Sequence, residues 1–101
     1  MLLRDIAHSR TGDKGNISNI SVIAYDMSHW ALLETEMTSE RLRSHLDWME
    51  IANVERFILP QLGALNFVLY GALNGGVTRS LALDAHGKCL SSAVLEMEIR
   101  K

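Results

Sequence analysis

The chain has a single cysteine, Cys89, among its 101 residues, so it can form no internal disulfide and offers no cysteine pair at zinc spacing. The fold must rest on packing. Proline is as scarce, with Pro60 alone in the chain. An excess of one charge is missing too: 10 basic and 12 acidic side chains leave a formal net charge of -2, so no global field draws a polyanion and nucleic acid is a poor partner. No run approaches the ~20 apolar residues of a membrane helix. The opening Met1-Leu2-Leu3-Arg4-Asp5 meets charge after two apolar residues, which predicts a soluble cytoplasmic protein with no membrane partner. Two glycosylation sequons, Asn16-Ile17-Ser18 and Asn19-Ile20-Ser21, carry no chemical consequence without a secretion signal.

What is present suits one compact domain over residues 1–101. A hydrophobic content of 48% against 22% charged residues disfavours disorder, and a chain of this length buries roughly 60–68% of its unfolded surface. Leu2 to His8 alternates imperfectly and predicts a first strand. Ile17 to Tyr25 sets Ile20, Val22 and Ala24 on one side and Asn19, Ser21 and Ile23 on the other, the period of a second strand. Ser28 suits an N-cap for a helix over His29 to Met37, and Thr38 suits a second, with Glu40 in the first turn and Leu42, Leu46 and Met49 on one stripe.

Val54 to Leu59 reads as a strand buried on much of both faces and ended by Pro60. In Ala64 to Leu73, the residues Leu65, Val68, Leu69, Ala72 and Leu73 match helical spacing, and Asn74-Gly75-Gly76 stops the run, although its β-branched and aromatic content would also tolerate a strand. Thr78 to Leu83 and Leu95 to Ile99 alternate as strands around a turn-rich connector from Asp84 to Lys88, and Cys89 to Val94 fits either strand or brief helix. The order ββααβαββ predicts an α+β fold with a mostly antiparallel sheet and helices on one face, in a ferredoxin-like arrangement.

Polar chemistry concentrates in His8, Ser9, Arg10, Thr11, Gly12, Asp13, Lys14, Gly15 and Asn16, read as a loop after the first strand. Its glycines would let the backbone turn and expose N–H groups, and Arg10 and Lys14 add positive charge, as an anion site requires. A solvated connector explains the same composition. A second candidate is Gly75, Gly76, Thr78 and Arg79, whose plainer reading is a helix cap feeding a strand. Neither run has the spacing of a phosphate-binding P-loop. His8, His29, His45 and His86 show no metal-ligand spacing, so no metal and no cofactor is expected. Trp30, Trp48, Met37 and Met49 fit core positions.

The segments Ala7 to Asn16, Leu59-Pro60-Gln61-Leu62-Gly63-Ala64-Leu65-Asn66-Phe67 and Gly75 to Ser80, with Asp84 and Gly87-Lys88, resemble the C-terminal ferredoxin-fold domain of acyclic terpene utilisation protein A (AtuA) over nearly the whole chain. The resemblance implies a link to catabolism of acyclic terpenes and branched acyl-CoA compounds, where this domain usually follows a larger one. With the large domain outside these residues, the expectation is a binding or assembly subunit: a homo-oligomer, docking on an AtuA-type large subunit, with an anionic small molecule such as acyl-CoA as ligand. The alternative is a small enzyme acting on an acyl-CoA or hydroxyacyl substrate, with His8 or Asp13 as general base and Arg10, Lys14 or Arg79 holding the anion. The resemblance carries over no catalytic residue.

Overall fold

A computed structural model of the chain describes residues 1–14, 17–47, 51–71, 91 and 93–100. The chain enters through a 3-10 turn, Leu3–Asp5, rather than the strand expected from Leu2. The Asp5 carboxylate accepts the Leu2 N–H at 2.9 Å and closes the turn, which outweighs the weak alternation of the sequence. Regular pairing begins at strand β1 (Ala7–Lys14), which pairs antiparallel with β2 (Ile17–Ala24) from Ala7 opposite Ala24 to Lys14 opposite Ile17.

Two helices follow. The first expected cap is displaced: Asp26, not Ser28, accepts a backbone N–H, from Ser28, at the head of a 3-10 turn that leads into α1 (Trp30–Glu36). Thr38 caps α2 (Ser39–His45) as its sequence predicts, its hydroxyl accepting the Arg41 N–H at 3.1 Å. Strand β3 (Asn53–Leu59) ends at Pro60, and the 3-10 turn Pro60–Leu62 with Gly63 reverses the chain into β4 (Ala64–Tyr70). Gly63 has φ 61°, the left-handed conformation a turn of this kind asks of glycine.

β4 corrects the helix expected over Ala64 to Leu73. The apolar residues matched helical spacing, but burial follows period two: Leu65, Phe67 and Leu69 are buried while Asn66, Val68 and Tyr70 are half-buried. Val68, Phe67 and Tyr70 favour the pleated backbone, and β4 gains ladders on both sides, from β2 and β3. The described sheet therefore has order β1-β2-β4-β3, antiparallel throughout.

One face of the sheet carries Ala7, Ile20, Val22, Leu65, Phe67 and Leu69, which form a single core with Leu33, Met37, Leu42 and Leu46 from the helical segment and Val94, Met97 and Ile99. Full burial of such side chains contributes about 1.5–3 kcal/mol each. This is the α+β, ferredoxin-like architecture with helices packed on one face. β3 is less buried than its composition predicted, because it ends the described sheet: Phe57, Ile58 and Leu59 are all exposed.

Ser91 and residues 93–95 are helical, which resolves that part of the ambiguous stretch. Beyond them Met97 and Ile99 are buried and Glu96 and Glu98 exposed, as alternation predicts, and residues 97–99 pair with residues 1–3 through Leu3 N–H to Met97 O (2.8 Å) and Ile99 N–H to Met1 O (2.7 Å). The expected strand from Thr78 to Leu83 and its connector lie outside the described residues, as do Trp48, Met49 and Cys89. No helix among the described residues is long and apolar enough to cross a membrane.

Candidate functional site

The polar run that begins at His8 is a strand through Lys14, not a loop, and this changes what it can do. Successive side chains of a strand point to opposite faces, so the run cannot gather its groups at one point. His8, Arg10 and Gly12 stand on the open face of the sheet, opposite Ile23, Ser21 and Asn19. Ser9 and Thr11 turn to the helix side, where the Thr11 hydroxyl hydrogen-bonds the Ser91 hydroxyl and the Ser9 hydroxyl is buried without a partner among the described residues. The backbones of Asp13 and Lys14 pair with Ser18 and Ile17. Gly15, Asn16, Gly75, Gly76, Thr78 and Arg79 lie outside the described residues.

Gly12 also has a role other than turning. A Cβ there would stand 3.3 Å from the Asn19 side-chain oxygen, and its carbonyl accepts the Ser18 hydroxyl at 3.2 Å. The missing side chain leaves room for the Asn19 amide beside Gly12.

Because the four strands keep register, residues on the open face fall into rows across the sheet. Arg10, Ser21, Asn66 and Phe57 form one row, in which the Ser21 hydroxyl donates to Asn66 Oδ1 at 3.3 Å. Gly12, Asn19, Val68 and Glu55 form the next, and Tyr70 donates its phenol to Glu55 Oε1 at 2.5 Å. That carboxylate holds the Tyr70 phenol above its usual pKa. At the other end His8 stacks on Tyr25, ring centroids 5.3 Å apart and planes 27° from parallel. The middle of the face thus offers amide, hydroxyl and guanidinium groups, and its β3 border is apolar through the exposed Phe57 and Leu59.

A groove of about 500 Å³ lies on the helical side, between α2 and residues 96–98, lined by Glu40, Arg41, Ser44, His45, Glu96, Met97 and Glu98. It contains none of the sequence-predicted site residues. Among the described residues no three His, Cys, Asp or Glu side chains gather as a metal would require.

Compared with known families, residues 1–100 match the model of the AtuA ferredoxin-like domain. The chain belongs to that family. No curated protein and no solved structure matches it. In this AtuA ferredoxin-like domain, the sequence reading placed His8, Arg10 and Gly12 in a loop, whereas they lie in β1. It missed Asn66 and Phe57 as their neighbours, because Asn66 was assigned to a helix and Phe57 to a doubly buried strand. The alternation of Asn19 and Ser21 against Ile20 and Val22 was the signal that an open, polar-centred face exists.

Proposed function

We propose that this AtuA ferredoxin-like domain is a cytoplasmic binding and assembly subunit, acting as one unit in the breakdown of acyclic terpenes or branched acyl-CoA compounds. One observation carries the reading: the open face joins a guanidinium, Arg10, to a central row of amide and hydroxyl groups with an apolar border, on the four strands of the described sheet. A flat face of this kind suits contact with another protein surface, and interfaces of lasting complexes combine an apolar part with satisfied polar groups. The partner is an AtuA-type large subunit, in keeping with the family's habit of joining this domain to a larger one. Arg10 supplies positive charge for an anionic group such as an acyl-CoA phosphate, and Lys14, Gly15, Asn16, Gly75, Gly76, Thr78 and Arg79 are proposed from the sequence alone as further binding residues.

Copurification with an AtuA-type large subunit tests it. The wild-type chain is expected to be retained, and Arg10→Glu to weaken retention by tenfold or more, on the order of the 1.4 kcal/mol that a tenfold change represents. A chain that neither associates with such a subunit nor binds acyl-CoA in a thermal-shift titration overturns the proposal.

A further inference from the structure

We infer that the open face takes a nucleoside diphosphate laid across the strands, with its phosphates on Arg10 and its base on Phe57. The inference rests on the proposal above for an anion at Arg10 and names the rest of that ligand. Arg10, Ser21, Asn66 and Phe57 stand opposite one another on four neighbouring strands, in the order β1, β2, β4 and β3. Both ends of the row are open to solvent, Arg10 being exposed and Phe57 47% exposed. With strands about 4.8 Å apart, the row measures about 14 Å from backbone to backbone. Inorganic phosphate or a short carboxylate would meet one end only. A nucleoside diphosphate reaches both.

Charge gives the ligand its direction. Arg10 stands on β1, whereas Glu55 stands on β3, two residues from Phe57 and so on the same face. Phosphates therefore belong at β1, where a guanidinium offers paired N–H donors, and away from the carboxylate. A net charge of -2 disfavours a polyanion, but one guanidinium can still hold one small anion.

The β3 end selects a base over an acyl chain. Phe57 presents a ring, and every base has a face that stacks on one. Its neighbours are polar: the Asn66 amide opposite it and the Glu55 carboxylate beside it. The Ser21 hydroxyl donates to Asn66 Oδ1 at 3.3 Å, which leaves the Asn66 N–H groups as donors to a ligand. The Tyr70 phenol takes one oxygen of Glu55, and the other is an acceptor for an exocyclic amine. An acyl chain over Phe57 would cover these groups without pairing them, which costs free energy. Adenine covers the ring and brings both a ring-nitrogen acceptor and an exocyclic amine to its edge.

Calorimetric titration of the whole chain with ADP tests the inference, with adenosine, UDP and octanoate as comparisons. ADP is expected to bind with a Kd of about 0.1–1 mM, more tightly than adenosine, which lacks the phosphates, or UDP, which lacks the amine. Substitution should separate the two ends. Arg10→Gln is expected to bring ADP down to the level of adenosine, a loss of about tenfold. Phe57→Leu keeps an apolar side chain without a ring and should weaken ADP about fivefold or more, and Phe57→Tyr, which restores the ring, should recover it. Both positions are exposed, and an unchanged circular dichroism spectrum checks that each variant folds. Absence of ADP binding to the wild-type chain at concentrations well above that range overturns the inference. So does ADP binding that neither Arg10→Gln nor Phe57→Leu weakens, or octanoate binding tighter than that of ADP, which would assign the face to an acyl chain. A chain retained by an AtuA-type large subunit yet blind to ADP would sink the nucleotide alone. One that binds ADP but is retained by no such subunit would sink the assembly role alone.

Discussion

The Met27 sulfur lies 2.7 Å from where a Cβ on Gly63 would stand, and Gly63 itself sits at φ +61°. A side chain at this position would have to displace the exposed Met27 thioether, and the turn between β3 and β4 requires a backbone conformation there that L-residues disfavour.

Gly63→Ala is therefore expected to destabilise the chain by about 1–2 kcal/mol, part conformational and part steric. Urea denaturation measures the sum. Met27→Ala in the same background should relieve the steric part and leave the conformational one, so the two substitutions are expected to be non-additive. Full additivity would mean that the Met27 thioether swings clear at no cost.

β4 offers a second test, since alternate residues along it differ in depth. Phe67→Ala removes a fully buried ring from the core and should cost about 3–5 kcal/mol. Val68→Thr, on the open face, should cost under about 1 kcal/mol. Similar losses at the two positions in thermal melts would contradict the strand.

Arg56 joins β3 to the end of α1. Its Nη1 donates to Glu34 O at 2.9 Å and to Met37 O at 2.8 Å, carbonyls that the last turn of a helix leaves without a partner. Arg56→Met keeps much of the stem and loses both bonds, which is expected to cost about 1.5–3 kcal/mol. Arg56→Lys, with a single ammonium on a shorter reach, should recover part of that. A Met variant as stable as wild type in urea would show that water replaces the guanidinium at these carbonyls.

The parts of the fold that could be read from sequence were those with a local cause. The alternation of Ile20 and Val22 against Asn19 and Ser21 located β2, Thr38 located the start of α2, and Pro60 the end of β3. Errors arose where two periods coincide or where a side chain bonds its own backbone. Leu65, Val68 and Leu69 satisfy helical spacing while Leu65, Phe67 and Leu69 satisfy strand spacing, and only pairing with both β2 and β3 decides between them. Asp5 and Asp26 redirected local structure through single hydrogen bonds to Leu2 and Ser28. The site fared similarly. Composition drew attention to His8 through Lys14, but whether its groups converge depends on pairing with β2, which composition does not encode.

Glu36 gives a pH-dependent prediction with a defined sign. Its Oε1 accepts the Arg100 backbone N–H at 2.9 Å and Arg41 Nη1 at 2.8 Å. The Arg100 N–H holds its carboxyl below the usual glutamate range, and the Arg41 and Arg100 guanidinium groups add to the effect. A carboxyl depressed on folding contributes stability that is present above its unfolded pKa and lost as pH falls through its folded pKa. Wild type should therefore exceed Glu36→Gln in stability at neutral pH, by a margin that shrinks once the pH drops below the ordinary glutamate range and closes at more acid values. Urea denaturation of both proteins across that range measures the margin, and a constant margin would remove Glu36 as its source. Salt separates the contributions: it screens the guanidinium attraction but not the Arg100 N–H bond, so at high ionic strength the margin should narrow without vanishing. Loss of the whole margin in salt would assign it to the charges instead of the backbone.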